Sequence, residues 1–141
     1  MRGRTIWLAG SAAVLLAGCG SGGTFANKPR PATPVNLTVY VNDQRVSVSP
    51  ASVGAGPVMF IVTNQANRNE SVEVHGTGGR SLASTGPINP GGTAQVTVDF
   101  NRGDYTISTT EAQLVGRSGI HPATLHIGPP RPSADNALLQ P

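Results

Sequence analysis

Cysteine is nearly absent from this chain of 141 residues, in which Cys19 is the only one. A single cysteine cannot close an internal disulfide, so no disulfide framework holds the fold together. Aromatic residues are also scarce, at 4%, and no basic stripe with interleaved aromatics is present. These two absences argue against nucleic acid as a partner. The scarcity of aromatic residues also predicts a core of Val, Leu and Ile.

A hydrophobic run long enough to cross a bilayer is also missing. The longest apolar stretch covers residues 6–17, whereas a spanning helix needs about 20 residues. Arg2 and Arg4 precede this stretch. A positive head, a short apolar stretch and small residues before a cleavage point define a secretory signal. We therefore predict that residues 1–18 are a signal peptide and not a permanent transmembrane helix.

The apolar stretch ends in Leu16, Ala17, Gly18 and Cys19. This run resembles the bacterial lipobox, in which the cysteine thiol receives a diacylglyceryl group and cleavage makes that cysteine the new N-terminus. The resemblance implies a covalent lipid on Cys19, and we expect no other cofactor. Two or more acyl chains hold a protein stably on a membrane. We therefore expect an anchor on the extracytoplasmic face of the cell membrane; the alternative is an ordinary signal with a chance cysteine.

Proline-rich segments frame the rest of the chain. In residues 19–34, Cys19 is followed by Gly and Ser and then by three prolines in 29–34. This composition predicts a tether, because Gly/Ser stretches are flexible and Pro-rich ones extended. Residues 129–141 begin Pro-Pro-Arg-Pro and are predicted to break any strand and to form a flexible tail, because proline cannot donate to a β-ladder. The segment between them, 35–128, has the length of one domain.

Apolar and polar residues alternate through this segment, as in Val35, Leu37, Val39 and Val41. Such a period of two predicts half-buried strands, and residues 58–62, apolar on both faces, predict a central strand. Similar alternation occurs in residues 72–75, 94–100, 105–109 and 125–127, and turn-forming strings interrupt it at 42–43, 54–57, 89–92 and 101–104. Short strands between turn signals predict an all-β sandwich or barrel.

Four strings resemble the cupredoxin family, and they occur in that family's order. They are residues 48–64, with a Pro-x-x-Val-x-Ala-Gly rhythm, the Pro-Gly hairpin entry in 88–98, the Gly-x-Tyr strand in 103–107 and the closing strand in 124–127. The resemblance covers nearly all of 35–128. It implies a cupredoxin-like Greek-key β-sandwich or barrel.

The metal ligands of that family are not carried over. The resemblance places the first copper His at Glu70, the thiolate near Thr109 and the axial ligand near His121. The second His would lie in 113–119, which contains no histidine. A blue-copper centre needs two imidazoles and one thiolate, so the resemblance does not imply electron transfer.

The remaining residues predict binding rather than catalysis. No nucleophile motif is present, so we expect no enzyme, but a binding or interaction module at the cell envelope with an unidentified envelope protein as its partner. The alternative is weak handling of copper, zinc or iron through His121 and Glu70, with help from His75 or His126. His75 and His126 alternate with core residues of their strands, so both are expected to face solvent.

Overall fold

The computed structural model describes residues 30–110 and 119–133. The predicted signal peptide, the lipobox residues 16–19, the tether before residue 30 and the tail after residue 133 lie outside the described residues. Within the described ranges, no helix is both long enough and apolar enough to cross a membrane.

These residues form an all-β domain, as the alternation predicts. Its strands are β1 (Val35–Val41), β2 (Val46–Ser49), β3 (Ser52–Asn64), β4 (Val72–His75), β5 (Ser81–Ser84), β6 (Thr93–Phe100), β7 (Gly103–Thr109) and β8 (Ala123–Pro130). A short 3₁₀ turn (Thr77–Gly79) joins β4 to β5.

Strand β3 is shared by the two layers of the sandwich. Its first residues, from Ser52 to Ala55, pair in parallel with β8. From Gly56 onward it pairs antiparallel with β6, and from Val58 onward it also pairs in parallel with β1. The strand order is therefore β2-β1-β3-β8-β7-β4-β5. Strand β6 stands outside this order and pairs with β3 alone. Because β3 changes partners along its length, it leads from one layer into the other.

The change of partners occurs at Gly54–Pro57, where the sequence predicted a turn. That prediction is wrong, since the strand continues through this string. Gly56 has a φ of 123°, which glycine adopts readily because it has no Cβ. The space beside the string is occupied by Arg131, whose Nη2 would lie 2.9 Å from a Cβ at Gly56.

The predicted strand break at Pro129 is also wrong, because β8 runs to Pro130. Proline lacks an N–H, but its carbonyl still accepts, and a register shift between Gly54 and Ala55 accommodates the pair. Beyond β8, the Arg131 amide donates to the Ala55 carbonyl over 3.1 Å, and its guanidinium donates to the carbonyls of Ala55 and Pro57. The packed domain therefore extends past the predicted boundary at 128.

Aliphatic side chains dominate the core, as expected from the few aromatics. Its fully buried members include Leu37, Val39, Val41, Val58, Phe60, Val62, Val72, Val74, Ile107, Leu125 and Ile127. The Phe60 and Phe100 rings meet edge to face with centroids 5.8 Å apart, and Tyr105 lies 4.5 Å from Phe100. Each such pair contributes roughly 0.5–1.5 kcal/mol beyond its buried area.

Asn64 ends β3 with a fully buried side chain. Its Nδ2 donates to the carbonyls of Arg68 (2.7 Å) and Ile88 (2.8 Å). Its Oδ1 accepts from the amide of Ala66 over 2.9 Å. One amide group thus holds the loop that follows β3 against the segment that precedes β6.

We expect Asn64→Ala to destabilise the domain by at least about 2 kcal/mol, because a buried group left without a partner costs roughly 1–3 kcal/mol. Urea denaturation measures this loss. Asn69→Ala, at an exposed position of the same loop, is the control and should change the free energy of unfolding by less than about 0.5 kcal/mol. Equal losses in the two variants would contradict the assigned role of Asn64.

We expect Gly56→Ala to be more destabilising than Gly78→Ala. Both glycines have positive φ, but a Cβ at Gly78 meets no atom within 4 Å, whereas one at Gly56 meets Arg131. Gly78, at φ 79° and ψ 11°, lies near the left-handed helical region, where an Ala costs roughly 1–2 kcal/mol, whereas Gly56, at φ 123°, lies outside that region and its conformational cost is higher. Thermal denaturation of the two variants, repeated in an Arg131→Ala background, isolates the steric part. A cost at Gly56 that is no smaller without Arg131 would contradict the steric part of this explanation.

Candidate functional site

Four loops meet at the end of the sandwich where β1 and β3 end. They are residues 42–45, 65–69, 88–92 and 119–122, here called the loop surface. Besides the Asn64 contacts, the His121 amide donates to the Gln44 carbonyl over 2.8 Å, and the Gly91 amide donates to the Asn64 carbonyl over 2.7 Å. The Asn67 amide donates to Asp43 Oδ1 over 3.0 Å. These bonds hold the four loops as one unit.

The exposed polar side chains of the loop surface are mainly amides, with three charged groups and one imidazole. They are Asn42, Asp43, Gln44, Arg45, Gln65, Asn67, Arg68, Asn69, Asn89 and His121. Amide side chains both donate and accept hydrogen bonds, so such a surface is suited to polar recognition. Because its backbone is already tied in place, it loses little conformational freedom on binding.

The termini of the described domain lie at the other end of β1. Ser133 Oγ donates to the Arg30 carbonyl over 2.7 Å, which brings the two chain ends together. A shallow groove of about 270 Å³ lies beside them, lined by Pro31, Ala32, Ala55, Gly56, Pro57, Asp99, Phe100, Asn101, Pro130 and Arg131. Seven strand residues separate this end from the loop surface, which corresponds to about 20 Å.

The position expected for a copper site carries oxygen atoms. Glu70 is 1% exposed and shares the core face with Val72 and Val74, as its spacing predicts. The Arg68 Nε lies 3.6 Å from its Oε1. Thr109, paired with Val72, is fully buried, and its Oγ1 forms no hydrogen bond with any described residue. A carboxylate and a hydroxyl do not fit the imidazole and thiolate set of blue copper.

The other proposed ligands lie in separate places. His121 is exposed on the loop surface. His126 is exposed on β8, as predicted, and its Nδ1 lies 2.6 Å from Asp104 Oδ1. Within residues 30–110 and 119–133, no group of three or more His, Cys, Asp or Glu side chains is placed to hold a metal ion.

The predicted exposure of His75 is wrong. Its side chain is only 8% exposed, and its Nε2 lies 3.3 Å from Glu73 Oε2. The alternation correctly placed His75 on the face opposite Val72 and Val74. However, the turn that follows β4 covers this face, and the Gly79 carbonyl lies 3.4 Å from His75 Nδ1.

Glu73, the acid partner of His75, is not among the residues that the sequence singled out. The signal was present as Glu-x-His within a predicted strand, because residues two apart on a strand project from the same face. The structure adds a third member, since Thr110 Oγ1 donates to Glu73 Oε1 over 3.1 Å.

Comparison with known proteins establishes the fold. No protein-family model and no curated protein matches the sequence. Among solved structures, auracyanin from Roseiflexus castenholzii matches with a TM-score of 0.52 and 13% identity, covering 70% of this chain and 99% of its own.

Two further solved structures have lower TM-scores. The azurin Az-iso2 from Methylomonas sp. strain J matches at 0.48 with 14% identity, covering 66% of this chain and 97% of its own. Rusticyanin matches at 0.47 with 16% identity, covering 65% of this chain and 79% of its own. The auracyanin match and the strand arrangement together show that the domain has a cupredoxin-like fold.

Proposed function

We propose that this chain is an extracytoplasmic lipoprotein, anchored to the cell membrane through acylated Cys19, whose copper-free cupredoxin-like domain binds a protein partner at the cell envelope. The observation that carries the proposal is the position of the loop surface. It lies at the end of β1 opposite to the end where Arg30 enters the domain.

The geometry suits display away from a membrane. Residues 20–29 extend to at most about 35 Å, and β1 adds about 20 Å along the domain. Because the tether joins the domain at its terminal end, the loop surface is the end of the domain that can lie farthest from the lipid. A lipid on Cys19 is therefore compatible with a recognition surface at the far end of the domain.

Binding suits the loop surface better than metal handling. Its exposed side chains are mostly amides, and its backbone is held by hydrogen bonds, which lowers the entropy cost of association. The alternative, weak handling of copper, zinc or iron by His121 and Glu70, gains no third ligand from the described residues. We therefore do not propose it as the function.

We expect Cys19→Ala to release the protein from membranes. Without the thiol no diacylglyceryl group is added, and the burial of acyl methylenes, worth about 0.8 kcal/mol each, is lost. Fractionation of the native host should show the variant outside the membrane fraction, whereas Ser21→Ala, the control, should remain in it. A Cys19→Ala variant that stays membrane-bound would contradict the lipid anchor.

We expect Asn89→Arg to reduce partner capture at least fivefold. The substitution adds a long charged side chain to the loop surface at an exposed position. The measurement is quantitative mass spectrometry of proteins co-purified with the anchored chain from solubilised membranes. Asn101→Arg, at an exposed position beside the chain termini, is the matched control and should capture as much as the unmodified chain. Equal capture by both variants would contradict the loop surface as the binding site.

A further inference from the structure

Strand β6 (Thr93–Phe100) has one open edge. Among residues 30–110 and 119–133, β3 is the only strand that pairs with it, and β5 lies close to β6 without forming a ladder with it. With eight residues, β6 is twice as long as β2 and β5, the strands at the two ends of the sheet order. An open edge presents a row of unpaired N–H and C=O groups that can pair with another strand.

The hydrogen bonds at the start of β6 show which of its backbone groups face this edge. The Asn64 amide donates to the Gly92 carbonyl over 3.0 Å, and Val62 then pairs with Ala94. Pairs in an antiparallel ladder alternate between those that exchange hydrogen bonds and those that do not, so the even-numbered residues of β6 bond to β3. The odd-numbered residues direct their N–H and C=O groups to the open edge, and these groups have no backbone partner among the described residues. They belong to Thr93, Gln95, Thr97 and Asp99.

The edge lacks the features that protect open strands from pairing with another chain. Lysine, proline and bulges are the usual protection. Residues 93–100 contain no lysine, arginine or proline, and their only charge is Asp99, next to the end of the strand. The register of β6 on β3 is continuous over these eight residues. Nothing in β6 itself therefore prevents a further strand from being added.

We propose that β6 pairs antiparallel with β6 of a second copy of this chain, about a two-fold axis that passes beside Val96. In this register all four outward-directed residues form hydrogen-bonded pairs, Thr93 with the partner's Asp99 and Gln95 with the partner's Thr97. A shift by one residue would place core-side residues opposite polar ones, and an axis beside Thr97 would leave Thr93 outside the ladder. The proposal does not depend on the proposed function.

The strand is complementary to itself in charge and in the faces of its residues. No two charged side chains meet across the axis, because Asp99 faces the partner's Thr93. Core-side residues meet core-side residues, Val96 opposite Val96 and Ala94 opposite Val98. Ala94 and Val96 pack against the core but are only half-buried, so the second copy adds apolar burial at the edge. A surface that matches itself in this way closes as a two-fold dimer.

The dimer is compatible with two anchors in one membrane. Because the two copies of β6 run in opposite directions, the two loop surfaces lie at opposite ends of the dimer. Residues 20–29 reach at most about 35 Å, which exceeds the length of β1, about 20 Å. Both chains can therefore reach the same membrane when the strands lie along its surface.

Hydrogen exchange of the full chain in detergent, followed by NMR at increasing protein concentration, tests the pairing. The amides of Val96 and Val98, which bond to β3, should exchange slowly at every concentration. Those of Gln95 and Thr97 should exchange rapidly in dilute samples and at least tenfold more slowly in concentrated ones. Over the same range, sedimentation should show the protein mass doubling. Both measurements use the unmodified chain, so neither depends on the folding of a variant.

Thr97→Pro removes one outward N–H but no hydrogen bond to β3, and proline is tolerated where the N–H of an edge strand faces solvent. It should weaken the dimer at least tenfold. Thr97→Val, the matched control, keeps the N–H and should dimerise within twofold of the unmodified chain.

Three results would overturn the proposal. The first is a chain that stays monomeric up to millimolar concentration, and the second is a dimer in which exchange at Gln95 and Thr97 is not slowed. The third is undiminished dimerisation of Thr97→Pro while the Val96 and Val98 amides remain protected. None of these results bears on the lipid anchor or on partner capture.

Discussion

The pairing of β3 with three other strands is the constraint on which the rest of the structure depends. Parallel neighbours need long connections, and β3 has two of them, β1 and β8. Where β3 passes between the layers, Gly56 has a backbone conformation that other residues rarely adopt. Arg131, which follows β8, donates hydrogen bonds to the carbonyls of Ala55 and Pro57 on either side of it. The ends of the domain are thereby tied to its centre, and β1, β6 and β8 are placed by their pairing with β3.

The end of β3 then determines where recognition can occur. Asn64 is the last residue of β3, and its side chain forms hydrogen bonds with the backbone of the neighbouring loops. The strand that organises the core therefore also holds these loops. Glu70 and Thr109, which the cupredoxin resemblance aligns with two copper ligands, are buried residues that provide oxygen atoms only. The loops beside them are joined by the hydrogen bonds of Asn64.

The outer faces of β4 and β8 each carry an acid–histidine pair, and the two pairs differ in their surroundings. Glu73 with His75 and Asp104 with His126 are both acid–histidine pairs, one along a strand and one across two strands. The first is largely buried under the turn that follows β4, and the second is an exposed hydrogen-bonded pair. The difference comes from what packs over each strand, since the side-chain chemistry is nearly the same.

The sequence by itself determined strands β1, β3, β4, β6, β7 and β8 and the faces of their residues, because alternation is a local property, but it did not predict β5. It placed Glu70 on the core face and His126 on the surface correctly for that reason. Only the tertiary structure decided that Gly54–Pro57 continues a strand, that β8 passes through Pro130 and that His75 is buried beside Glu73. Each of these depends on a contact between segments distant along the chain or on a turn that folds back over a sheet, and neither leaves a periodic signal in the sequence.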